Sequence, residues 1–423
     1  MVDEVLHLLV ELALPKPSQF ALENFAGDAL VHRFCERLLQ SQKANVKFFV
    51  SWECPPDTLV VTTKGAGAVV RSERLDTLLL EYHLLSSWDK TVSSEISEPV
   101  LTSTVLRWAC EFLLGYRNPA LAIHATLMRP KHSSVRLHSP FRDETLASVD
   151  ELTRTAIQCF ALAHEVGHIV MPVRPEPSLE FTVDGLTLAD HIRWSDREAK
   201  QPPETLLALE QFWSERLNAK DLVSEVDADL FAFWAVVDFL CNELGYEPAS
   251  AITAALQAME AQLFICAWKN SCRAIASAAV AEVSDPSFAA QEYLIGAEYS
   301  ARSRVVVRRA GITWALAESE GADHSKIDFN SYARQVDQLL TPTIGFRSRI
   351  FERIQALSEI LFQFTKDLSR DERVDSLSYI DILESDTDLK LELFYTLISF
   401  GCSGSVNVAE YLRAIASRIS TTQ

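Results

Sequence analysis

The chain reads as an α+β protein, predominantly helical, with a small sheet region near its N-terminus and a helical C-terminal part. Two observations predict this. Apolar residues recur at helical spacing through most of the chain from Val100 onward, whereas the runs Asn45 to Trp52 and Thr58 to Val70 are rich in β-branched and aromatic residues. The second pair of runs flanks Pro55-Pro56-Asp57, so the two are expected to form a hairpin. With 423 residues, 48% of them hydrophobic and 23% charged, the chain is long enough for a large core and for one to three domains. Three regions follow: a mixed 1–145, a central helical 146–245 and a helical 246–423.

In the N-terminal region Val100 to Leu114 reads as a helix, and Pro119 to Arg129 as a further strand or a short helix. Ser133 to His138 is a candidate sheet edge on which an extended substrate could pair.

The central region carries the chemistry. Ser148 with Glu151 forms a capping-box pattern, Asp150 adds negative charge to the first turn, and Pro172 ends a helix spanning about Val149 to Met171. Within it lies His164-Glu165-Val166-Gly167-His168, an HExxH string. Residues four apart sit one turn above each other, so both imidazoles can hold one Zn²⁺, while Glu165 on the flank can reach water held there. A second helix is expected over about Asp221 to Glu243, and on it Glu225 and Asp229 share a face with Ala232, Val236 and Phe239. Two carboxylates in an apolar stripe call for a cation, which makes Glu225 the candidate third ligand and Asp229 the candidate acceptor for a ligating histidine's outer N–H.

The other segments offer less. Val173 to Pro203, rich in proline and acids, reads as a long loop that could cover a cleft, with His191 as a candidate substrate contact. Downstream, Tyr293, Tyr299, Arg302 and Arg304 are candidates for stabilising an oxyanion. Helical periodicity continues over Ala249 to Val280, Phe288 to Glu318, Thr341 to Leu368 and Ser403 to Ile419, and Trp234, Trp268 and Trp314 read as core. These helices could wall a substrate cleft, form a dimer interface or make a recognition lobe.

Composition narrows the partners. A net charge of −19 argues against binding nucleic acid or an anionic membrane and favours a protein or peptide partner. Eight cysteines without CxxC spacing read as reduced, buried thiols, which with the lack of a basic n-region at the N-terminus favours a cytosolic location. The two most apolar stretches, Leu230 to Cys241 and Ala251 to Trp268, contain Asp238 and Glu260 and are expected to be core helices, not membrane spans.

HExxH followed by ExxAD at residues 225–229 resembles the gluzincin metallopeptidases. That resemblance implies a zincin-like core, one zinc ion per chain on His164, His168 and Glu225, Glu165 as general base and acid, and Asp229 in support. The ExxAD form is similar to that of the membrane-bound HtpX and CAAX-processing proteases, whose membrane helices this chain lacks. By size and HExxH it is also similar to the soluble Lit-type phage-exclusion proteases. The expected function is a zinc-dependent endopeptidase with a narrow intracellular protein target. One alternative is a zinc-binding sensor or interaction module without turnover, and another is a metal-free polar network in the core.

Overall fold

The computed structural model describes residues 29–42, 46–51, 58–63, 66–88, 94–115, 149–171 and 219–284, with scattered positions in 121–125 and 349–361. These residues are mostly helical. In chain order they form α1 (Ala29–Gln42), β1 (Val46–Ser51), β2 (Thr58–Thr63), β3 (Ala66–Ser72), α2 (Glu73–Trp88), α3 (Ser94–Gly115), α4 (Glu151–Val170), α5 (Ala219–Asn242) and α6 (Pro248–Ser284).

The strands do not pair as the sequence suggested. β1 and β2 were expected to form the hairpin, but the strand order is β1-β3-β2. The run 58–70 is two strands, β2 and β3, paired antiparallel with each other, and β1 lies parallel to β3 on its other side. The Pro-Pro-Asp segment therefore connects the two outer strands. Gly65, between Thr63 and Ala66, falls in the short connection that a hairpin of β2 and β3 requires. Phe48, Val69 and Val60 stand in one row across the sheet, and all three pack on the core.

α4 runs through the middle of the molecule. It packs on α5, α6, α1 and α2 and on strands β2 and β3. Its contact with the sheet is tight at Gly67 of β3, where an added Cβ would lie 2.8 Å from Ile169 Cδ1 of α4. A larger residue here would have to displace the end of the Ile169 side chain.

α6 crosses the far side, packing on α4, α5, α3 and α2. Pro248 opens it, a position where the missing N–H costs nothing. The stretch Pro248–Ser277 is long and apolar enough to cross a membrane, and most of it is buried in the core. Trp268 is fully buried, and its indole N–H donates to the Val105 carbonyl of α3 at 3.0 Å. Tyr82 of α2 stacks on Phe264 of α6 with ring centroids 4.8 Å apart. α5 ends at Asn242, and after the turn of Glu243 and Leu244 comes Gly245 with φ of 73°, the left-handed conformation that stops a helix.

Several expectations are adjusted. Pro119 to Arg129 is helical at its described positions, Leu121, Ala122 and Ala125. Trp234, expected in the core, is 37% exposed and lines a cavity of about 480 Å³ with Phe34, Arg37, Leu230 and Asp238. Cys35, Cys110, Cys159 and Cys272 are buried and in no disulfide, whereas Cys241 and Cys266 are only partly buried, and burial pushes the Cys35 thiol up to about 12. Ser133 to His138, the loop 173–203, the periodic segments 288–318 and 403–419 and Trp314 lie outside the described residues.

Candidate metal centre

α4 begins differently from the capping box read in the sequence. Asp150, not Ser148, is the N-cap: its Oδ1 accepts the Thr153 N–H at 2.8 Å. At the other end Met171 turns to an extended conformation, and its N–H still reaches the Gly167 carbonyl at 2.9 Å. Between these caps the helix is apolar almost all round, with Ile157, Phe160, Leu162, Ala163 and Val166 each at most 1% exposed. That setting puts His164 in the core, at 3% exposed.

α5 lies across α4 and runs against it, as later residues of one helix meet earlier residues of the other: His164 faces Asp229, and His168 faces Ser224. The two backbones meet at Gly167 and Ala228. A Cβ on Gly167 would stand 2.9 Å from the Ala228 Cα, closer than real Cβ atoms come, so the interhelical distance is set by a pair of small residues. This close approach lets the short ExxAD side chains reach the histidines.

The donor atoms converge accordingly. His164 Nε2 and His168 Nε2 are 3.2 Å apart, His164 Nε2 is 3.6 Å from Glu225 Oε2, and His168 Nε2 is 3.6 Å from Glu225 Oε1. The outer nitrogens have their own partners: His164 Nδ1 lies 2.9 Å from Asp229 Oδ1, and His168 Nδ1 lies 3.2 Å from Ser224 Oγ. If Asp229 is ionised it can only accept, which would hold the His164 proton on Nδ1 and turn a bare Nε2 lone pair inward. With His168 in the same tautomer, three lone-pair-bearing groups face one another at the centre. Such acceptors repel unless a cation sits among them. His164, His168 and Glu225 can thus hold a metal ion.

The centre has a closed and an open side. The side chains of His164 and Asp229 are 4% and 1% exposed, whereas those of His168 and Glu225 are 22% and 28% exposed. Solvent or a ligand reaches the cluster from the His168 and Glu225 side. Glu165, next to His164 on the following face of α4, is half-buried.

Of the residues singled out in the sequence, the structure brings together His164, His168, Glu225 and Asp229. His191, Tyr293, Tyr299, Arg302 and Arg304 lie outside the described residues. Ser224 was missed. Adjacency to Glu225 gave no signal, since neighbouring residues on a helix point in different directions, and the contact follows from how α5 packs on α4. No family model, curated protein or solved structure matches the chain.

Proposed function

We propose that the chain is a zinc-dependent endopeptidase that cleaves a specific intracellular protein. The observation that carries this reading is the convergence of two imidazole nitrogens and one carboxylate. One ligand atom from each of the three residues lies within 4.8 Å of the others, close enough to surround a single ion. Three protein ligands, two histidines and a glutamate, are the set that leaves a fourth position for chemistry. HExxH with ExxAD, the pattern shared with gluzincins, supports the same assignment.

His164, His168 and Glu225 would hold the ion, which supplies Lewis acidity and lowers the pKa of water toward neutrality. Asp229 accepts the outer N–H of His164 and keeps that ring oriented. Glu165 is the general base: its carboxylate takes a proton from the attacking water and gives it to the departing amine. The more open His168 and Glu225 side is where a peptide would enter.

The test is a comparison of three proteins for zinc content and for new peptide N-termini formed in a cell extract. Glu165→Gln is expected to retain about one zinc and lose at least 100-fold in cleavage, within the range general bases contribute. His168→Ala and Glu225→Ala are expected to lose both metal and cleavage. Cleavage by Glu165→Gln at the wild-type rate would rule out the hydrolase reading.

A further inference from the structure

We infer that Ser224 is a positioning residue for His168, as Asp229 is for His164, so that α5 orients both imidazoles in addition to supplying Glu225. This rests on the metal-centre reading and not on peptide cleavage. The two rings are held in different ways. His164 meets a carboxylate at 2.9 Å that is 1% exposed, and His168 meets a hydroxyl at 3.2 Å on the more open side. A carboxylate accepts only, which fixes the His164 tautomer. A hydroxyl can accept or donate, so Ser224 holds the His168 ring in place but favours the ligating tautomer less strongly.

The placement of Ser224 and Glu225 on one turn of α5 and of Asp229 on the next has a further effect. The helix that docks through Ala228 on Gly167 carries the third ligand and both outer hydrogen-bond partners, so its seating positions all of them together. α4 supplies ring nitrogens, and α5 decides where they point. Outer partners of metal-bound histidines commonly change metal affinity by about 10- to 100-fold, and the hydroxyl should fall at the lower end.

Zinc affinity can be measured on the full chain by competition with a chromogenic chelator, for wild type, Ser224→Ala, Ser224→Thr and Asp229→Asn. Ser224→Ala is expected to bind zinc about tenfold more weakly, and Ser224→Thr, which keeps a hydroxyl, to recover most of that loss. Asp229→Asn is expected to lose more than Ser224→Ala. Should Ser224→Ala misfold, the His168 imidazole N–H in zinc-loaded wild type provides a second readout. A resolved, exchange-protected Nδ1–H proton supports the bond to Ser224, and its absence overturns it. Wild-type affinity in a folded Ser224→Ala protein would overturn the inference while leaving the metal centre intact. A wild type that takes up no zinc would overturn both. A protein that binds zinc and cleaves nothing would refute only the peptidase, and the affinity ratio would still decide the role of Ser224.

Discussion

Among the described residues, two polar clusters each bridge a pair of helices, and they are built from different groups. Between α2 and α3, Arg107 donates to Glu81 and, at 2.5 Å, to Glu111, while Trp108 donates its indole N–H to Glu81 at 2.7 Å. Arg74 lies 3.9 Å from Glu111. Two guanidinium groups face two carboxylates, and N–H groups meet lone pairs. Between α4 and α5 the inward atoms are two imidazole nitrogens and a carboxylate, and no guanidinium or ammonium group stands among these atoms. Burial and ionisable character are common to both. One cluster carries its own cations as arginines, whereas the other is a group of ligands that could hold a metal ion.

That contrast can be broken most severely at Glu81. Removing a fully buried carboxylate leaves Arg107 with Glu111 alone and takes the acceptor from the Trp108 indole N–H, so Glu81→Ala should cost about 2 to 4 kcal/mol in urea unfolding while the zinc affinity of the folded protein stays at the wild-type value. A matching loss of zinc affinity would mean the two clusters are not independent.

A smaller effect is expected at the helix contact. Gly167→Ala forces a Cβ against the Ala228 backbone and should cost about 1 to 3 kcal/mol through overpacking. Because the strain parts α4 from α5, zinc affinity should fall as well, and a chelator competition would show it. Here stability and metal binding drop together, unlike at Glu81.

The mildest change sharpens the comparison through pH. Burial raises the Glu111 carboxyl above its ordinary value of 4.5, with Glu81 adding to the rise, against the pull of Arg107 and Arg74. The folded chain then keeps a proton that the unfolded chain has released. This contribution to stability is fully present below 4.5 and is lost as pH rises through the higher folded value. Glu111→Gln should therefore give a flatter stability profile on raising pH from 4.5 toward neutrality, as followed by thermal melts. A profile as steep as that of wild type would assign the pH dependence elsewhere.

Much of the metal centre was legible because helical spacing is local. Once His164 and His168 are one turn apart, and Glu225 and Asp229 are another such pair, two antiparallel helices can bring the four together. What the sequence hid depends on contacts between elements. Ser224 matters only because α5 crosses α4 at Ala228, and Gly167 reads as one of two unspecified positions until a backbone is seen against it. The strand pairing failed for a similar reason: the turn residues 55–57 are equally compatible with a hairpin and with a connection between outer strands. Asp150 and Ser148 are both good caps, and only the bond to Thr153 distinguishes them.

The strand order also bears on how the chain assembles during synthesis. β1 leaves the ribosome first, yet its partner β3 is the last of the three strands to appear. β2 and β3 can zip together as neighbours in the chain, which is fast because the loop to close is short. Val46–Ser51, containing two adjacent phenylalanines, must wait with its backbone groups unpaired until that ribbon exists. That interval is when the nascent chain is most open to pairing with another copy of itself, so lengthening the segment 52–57 should harm yield before it harms the folded protein.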